Sequence, residues 1–594
     1  MSSSQPNVIV LTIDAFRADR ASLHGYARPT TPTLERLARD AIVCERSYTM
    51  GTFTQTACVQ FLTSSRPLSY GGYDYGARGR PPTIFKCFHD AGYHTTCLST
   101  LHWVNRFFGY GDGIDEEYQL FGLNTLPGVA LAMIRSSLAG YQSKDISPDA
   151  MLEAVDPVLL KMFDNTLEYC ALHLQRQEEL RADFPHSGLV NARYDFIKVR
   201  KLIDRHRQEY LADKLAYVDK HLWNAATMDA WGGRWLPKEW YFCRKLTKLL
   251  SEGLFRAGNR LLGTVRPGLA QCRSTRYKNY PDARSLADKV ISLLDNRDST
   301  RPFFIWTHFM DTHEPYVSGH GLKWYEQTAD HLAALGYPRD FNPSVTFGEK
   351  PNNKEDEAVF SALYDAALRS TDAEIGRIVD ALDRLGLRDD TLVVISGDHG
   401  EELGDHGDFG HYFLLYEHNA RVPTLFHRPG LGAQRYDGLS TIMDIAPTTA
   451  ALAGIEPAPG WEGTALTDAA QAQQPHVLME TFFAGNCLFD HRPLYFGVRT
   501  RDHHYLWKEY RDPRDNLSPE GNELYDVSTD PGELNNIYRP DHPLVPGFNA
   551  VIARRLAELP AITNERIIGL FGPEIAADAQ QATAADEAVA AGCD

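Results

Sequence analysis

The chain has 594 residues, 43% hydrophobic and 23% charged, with a formal net charge of −18. That is ordinary globular composition, and the acidic balance argues against nucleic acid as a main partner, because phosphate backbones call for a basic surface. No apolar run approaches the roughly 18 residues a membrane-spanning helix requires, so no transmembrane segment is expected. In chain order, MSSSQPNVIVLTIDAF has no basic leader, and its short apolar run ends in Asp14, which does not read as a secretory signal. Nine cysteines without CxxC spacing suit free thiols in a reducing compartment, so the expected location is cytoplasmic.

NVIVLTI at 7–13 is a continuous β-branched apolar run, the pattern of a strand buried on both faces. FFIWTHF at 303–309 and TLVVIS at 391–396 repeat it, and helical patterns lie between and after, at PTLERLARDA, 285–296 and 356–386. Strands alternating with helices predict an α/β domain around a mixed, largely parallel sheet flanked by helices. The predicted organisation is 1–121 and 281–474 as two parts of one α/β domain, interrupted by a helical insertion at 122–280. A C-terminal subdomain at 475–574 follows, with hairpin strands near 495–510, and then an Ala-rich disordered tail at 575–594.

Open parallel sheets bind ligands beyond the carboxyl ends of their strands. Two buried runs end in acids there: NVIVLTI in Asp14, and TLVVIS, through Gly397, in Asp398 and His399. A buried carboxylate needs compensation. Helix capping is one solution, and a divalent ion held by two carboxylates and an imidazole is the other. GTFTQTACVQFLTS at 51–64 adds the hydroxyls of Thr52, Thr54, Thr56 and Thr63 and the thiol of Cys58, candidates for a nucleophile beside such an ion.

In order, NVIVLTIDAFRAD, HGYARPTTPTLERLARDA, FLTS, HFMDTHEPY, VVISGDHGEELGDHG, GHYFLLYEHNARVPTLFHRPG and NELYDVSTDPGELNN resemble the landmarks of sulfatases in the alkaline phosphatase superfamily. The resemblance covers most of 7–120 and 280–540, and it implies an alkaline-phosphatase-like fold. It places the nucleophile on Thr54. Cys58 falls on the family's Arg position, and Thr56 lies two residues late. The family motif Cys/Ser-x-Pro-x-Arg, whose first residue becomes formylglycine, is absent, which favours phosphorus over sulfur as the centre attacked. The family's second acid is Ala15 here. The implied metal set is Asp14, Thr54, Asp398 and His399 around one divalent ion, with zinc or manganese favoured and calcium as the alternative.

The resemblance also implies that His313 and His411 contact the transferred group or protonate the leaving oxygen. It puts His406 behind the ligands. Arg17 and Asp19 are read as bracing the loop under the metal, with a surface ion pair as the other reading, and Arg421 as structural. The expected activity is metal-dependent cleavage of phosphate or sulfate esters through a covalent Thr54 ester, on a small anionic ester or a glycan. Two alternatives stay open: a transferase that passes the phospho group to a glycan or lipid head group, and a catalytically inactive binding protein of the same fold. The sequence carries no signal of oligomeric state.

Overall fold

The computed structural model describes residues 5–123, 125–184, 195–223, 280–313, 316, 354–407, 409–411, 414–467, 474–482, 494–509, 521–560 and 562–581. The main sheet has eight strands. They are β1 (Asn7–Ile13), β2 (Ala41–Tyr48), β3 (His94–Ser99), β4 (Glu116–Gln119), β5 (Phe303–Phe309), β6 (Thr391–Gly397), β9 (Thr424–His427) and β10 (Gln434–Thr441), with the two-residue β7 (Glu402–Leu403) and β8 (Phe409–Gly410) pairing separately. Their order is β10-β2-β9-β6-β1-β5-β3-β4. β9 is antiparallel to both its neighbours, and every other pairing in the sheet is parallel. Strands from residues 7–119 and from 303–441 therefore share one sheet, as the sequence predicts.

Burial on both faces explains the unbroken apolar runs. Ile9, Leu11 and Ile13 of β1 join one core with Ile305, Val393, Ile395 and helix residues Leu286, Ile375 and Leu382. Val8 and Val10 face the opposite core with Phe304, Trp306, Leu392, Val394 and Phe61. Alternate residues of a strand point to opposite faces, so a central strand covered on both sides is mostly apolar, and its few polar side chains, such as Thr12 and His308, pair with one another inside.

The predicted insertion is helical over Thr125–Gln142, Pro148–Gln175, Gln177–Asp183, Phe196–Ala212 and Lys214–His221. These helices bury a core of their own, including Leu138, Leu159, Phe163, Ile203 and Tyr210. Residues 224–279 of that stretch lie outside the described residues. The chain returns through the helix Ala283–Asp295, whose Lys289 reaches Glu179 and Asp183 of the insertion.

C-terminally, β11 (Val477–Phe482), β12 (Leu494–Arg499), β13 (His503–Lys508) and β14 (Glu523–Asp526) form an antiparallel sheet. The helix Val545–Ala557 packs on it through Phe548, Ile552 and Leu556. Residues 573–581 are helical, and Ala576 and Ala579 join the same core, where the sequence reads as a disordered tail from 575. Alanine suits a close helix contact as readily as a tail of low complexity. The rest of that tail lies outside the described residues.

Candidate active site

Three adjacent central strands deliver the site. β1 leads into Asp14, whose N–H donates to the carbonyl of Phe309 (2.9 Å) at the end of β5. β6 leads into Asp398, whose N–H donates to the carbonyl of Ile13 (3.2 Å). The bend after β1 puts Ala15 at φ 52°, a left-handed conformation uncommon for a residue with a Cβ. There its N–H donates to Asp398 Oδ1 at 3.0 Å and its carbonyl accepts from the Tyr364 hydroxyl at 2.7 Å, which ties the two acid-bearing ends together. At Gly400 a Cβ would stand 1.9 Å from the His418 carbonyl, so only glycine lets the chain after His399 pass.

The fourth element is the helix Thr54–Thr63. It begins at Thr54 itself. The Thr54 hydroxyl donates to Asp14 Oδ2 at 3.1 Å and lies 3.2 Å from His399 Nε2. The competing hydroxyl of Thr56 is turned away and donates to the Phe53 carbonyl (2.7 Å). Cys58 is fully buried among core residues, and burial together with the charges of Asp398 and Asp14 pushes its thiol well above the usual range. A nucleophilic thiolate is therefore disfavoured there.

Asp14, Asp398 and His399 each offer a donor atom within 4.8 Å of the others, and all three are wholly buried. Burial tends to raise the Asp14 carboxyl, but the charge of His313 and the hydrogen bond from His308 outweigh it and hold Asp14 ionised. Burial and the Asp14 charge drive Asp398 the other way, well above the carboxylate range. Two such carboxylates cannot both be ionised without a cation between them. Asp14 Oδ1 and Asp398 Oδ2 also have no hydrogen-bond partner. His399 is brought down to about 3 by burial, then by the charge of His411, which leaves the neutral imidazole that metals take. The donor set and its unsatisfied oxygens fit a divalent cation.

On the open side, His313 and His411 meet edge to face with ring centres 4.9 Å apart, and His411 lies 4.4 Å from His399. Both have a nitrogen within 4.8 Å of an Asp14 oxygen. The structure thus brings Asp14, Thr54, Asp398, His399, His313 and His411 to one place. Arg17 is buried behind them. Its guanidinium holds Asp19 at 2.7 Å and also Asp405, and it donates to the Glu401 carbonyl at 2.9 Å, so it clamps the loop after His399. Arg421 donates to the Glu45 carbonyl, a structural contact.

His406, expected behind the ligands, contacts Tyr416, His418 and Glu402 rather than Asp14, Asp398 or His399. It stacks on Tyr416 at 3.8 Å and lies beside Glu402 and His418, with its Nε2 3.1 Å from the Glu533 carbonyl. It supports the approach of the C-terminal part instead.

Two further residues touch the site that motif spacing does not reveal, and a third feels its charge. Glu401 is fully buried, 3.3 Å from His411 Nδ1, and burial holds its carboxyl well above the usual range. His102 follows β3 and is brought down to about 4 by burial and the charge of His313. His308 sits inside the β5 run, 3.3 Å from Asp14 Oδ2. One signal was available for His308. It is the single imidazole in an otherwise uncharged buried strand, close to that strand's carboxyl end.

An α/β fold with acids, an imidazole and a hydroxyl converging at the carboxyl ends of central strands defines an ester-hydrolase site of the alkaline phosphatase superfamily. The sulfatase family model matches residues 6–153 and 219–455, and the chain belongs to that family. A model described as N-sulphoglucosamine sulphohydrolase, C-terminal, matches 404–559. The chain is 21% identical over 560 residues to an arylsulfatase of Clostridium perfringens, covering 90% of each. It is 27% identical to a choline-sulfatase of Rhizobium meliloti, over 46% of this chain and 54% of that protein. Among solved structures, a phosphonate monoester hydrolase of Agrobacterium radiobacter superposes with TM-score 0.52 at 17% identity, covering 94% of this chain and 95% of its own. A protein solved with its substrate D-glucosamine-2-N,6-O-disulfate superposes with TM-score 0.52 at 15% identity, covering 95% and 98%.

Proposed function

We propose that this family member is a cation-dependent hydrolase of phosphate or sulfate esters that uses Thr54 as its nucleophile. The observation that carries the reading is the convergence of Thr54 Oγ with Asp14 Oδ2 and His399 Nε2 at 3.1 and 3.2 Å. Asp14, Asp398, His399 and Thr54 would hold the cation, which when bound makes the Thr54 hydroxyl more acidic and offsets charge on the ester oxygens.

Thr54 Oγ then attacks the central atom of the ester in line, and Asp14 Oδ2 stands where the hydroxyl proton leaves. His313 and His411 sit where a transferred group would lie, suited to holding its oxygens and protonating the leaving oxygen. A second attack by water at the same centre frees Thr54. Phosphorus is the favoured centre because position 54 is an unmodified threonine rather than a formylglycine precursor. Zinc or manganese is favoured over calcium because the set contains imidazole. Free Cys44, Cys58, Cys87, Cys97 and Cys170 are in keeping with the proposed cytoplasmic location.

The test is a panel of nitrophenyl phosphate, bis-nitrophenyl phosphate, nitrophenyl phenylphosphonate and nitrophenyl sulfate, assayed with each metal. Turnover of a phosphorus ester that depends on Thr54 and on the metal is the expected result. Turnover of the sulfate alone would reverse the choice of centre. No turnover of any ester by metal-loaded protein would point to a binding protein of this fold.

A further inference from the structure

His308 lies on β5 directly opposite Thr12 of β1, two residues before Asp14. Its side chain is fully buried. Nδ1 is 2.8 Å from Thr12 Oγ1, and that oxygen also accepts the indole N–H of Trp306 at 3.2 Å. The ring is therefore fixed from behind, and Nε2 points at the acids. It stands 3.3 Å from Asp14 Oδ2 and 3.8 Å from Asp398 Oδ2.

The spacing of the donors around the site closes into a ring. Thr54 Oγ to Asp14 Oδ2 is 3.1 Å and Thr54 Oγ to His399 Nε2 is 3.2 Å. His399 Nε2 to Asp398 Oδ2 is 3.5 Å, Asp398 Oδ2 to His308 Nε2 is 3.8 Å, and His308 Nε2 back to Asp14 Oδ2 is 3.3 Å. Ligands bonded at about 2.1 Å to one ion stand roughly 3.0 Å apart when octahedral and roughly 3.4 Å apart when tetrahedral. A buried charged imidazole–carboxylate hydrogen bond would instead contract to about 2.7–2.9 Å. Asp398 Oδ2, the oxygen facing both His308 and His399, has no hydrogen-bond partner. Neighbouring donors thus stand 3.1–3.8 Å apart, close to those ligand spacings and wider than a contracted charged pair, and the His308–Asp14 contact is a long hydrogen bond.

From this we infer that His308 Nε2 is a direct ligand of the cation, in addition to Asp14, Thr54, Asp398 and His399. The inference rests on the cation-dependent reading of the site. It makes the set two imidazoles, two carboxylates and a hydroxyl, which selects a zinc-class transition metal over calcium, since calcium takes oxygen ligands. Thr12 then acts as the positioning residue that fixes the imidazole through its other nitrogen.

The experiment is X-ray absorption on zinc-loaded full-length protein, where imidazole ligands are counted from their multiple scattering, alongside zinc and calcium titrations. Two imidazoles are expected in the wild type, and one in His308→Gln with zinc affinity down by tenfold or more, on the order of the losses seen when a metal site is disturbed. Calcium affinity should change far less. Thr12→Val should keep two imidazoles while weakening zinc by about tenfold. One imidazole in wild-type protein with zinc bound stoichiometrically overturns the role of His308 and leaves the cation site standing. Wild-type protein that takes up no metal overturns both. The wild-type count decides the matter even where a variant fails to fold.

Discussion

Thr54 Oγ and His399 Nε2 stand 3.2 Å apart although 345 residues separate them in the chain. The contact exists because the helix Thr54–Thr63 ends its approach at the mouth of β6, where Asp398 and His399 emerge. A hydroxyl there is held by polar groups on one side and open toward His313 and His411 on the other.

Thr54→Ala should lower kcat by about 10⁴ or more, the scale of losing a nucleophile. Stability should fall by about 1 kcal/mol, the value of a hydrogen bond, because the helix start is otherwise kept. Cys58→Ala should keep turnover and lose only packing. Mass spectrometry after a substrate quench should find the covalent adduct on Thr54, and an adduct on Cys58 or Thr56 would show the wrong atom has been chosen.

Chelation should abolish turnover, and zinc or manganese should restore it more fully than calcium. The melting temperature should rise with added metal, since a ligand present at 100 times its Kd stabilises by about 2.7 kcal/mol. Asp398→Asn should erase that rise. A melting curve insensitive to every divalent ion would sink the prediction.

Arg17→Ala should reduce kcat more than it raises KM, because Arg17 touches the loop carrying Glu401 and not the open side of the site. Removing a buried guanidinium strands Asp405 and Asp19, a loss that reaches about 3–5 kcal/mol for fully buried pairs. Asp19 is 49% exposed at its side chain and Asp405 29%, so about 2 kcal/mol is the expectation in urea denaturation. Arg17→Lys should recover part of the stability but not the two-carboxylate grip, which needs the forked guanidinium.

The strands that carry the site were legible because they are central. Burial on both faces leaves few polar positions, so β1, β5 and β6 read as largely apolar runs that end at Ile13, Phe309 and Gly397. The antiparallel β9 was not, since four residues, TLFH, carry no direction and its place depends on pairings with β2 and β6 formed across the fold. Among site residues, Asp14 and Asp398 stand out as charges at apolar ends. His308 shows only as the one imidazole of its strand, because its contacts come from lying beside Thr12 and Asp14 on a neighbouring strand. For His406, proximity in sequence to Asp398 says nothing of the turn at Gly404 to Gly407 that carries it to Tyr416.

Acid should loosen the join between the helical insertion and the main sheet, and His173 is where to look. It lies on the helix Pro148–Gln175, stacks on Tyr169 at 4.0 Å, and its Nε2 is 3.0 Å from the Gln119 carbonyl at the end of β4. Burial brings its imidazole from 6.5 down to about 4, only partly offset by the bond to Gln119. A histidine with a depressed folded pKa contributes stability that is present above 6.5 and is lost as pH falls toward 4, because the unfolded chain takes up the proton first. At pH 5 the loss from this one group is about 2 kcal/mol. Urea denaturation at pH 7.5 and pH 5 should therefore show a smaller drop for His173→Gln, which keeps a donor for Gln119 but does not titrate. Hydrogen exchange at pH 5 should show the insertion opening before the main sheet. If His173→Gln loses as much stability as the wild type between the two pH values, His173 is not the group responsible.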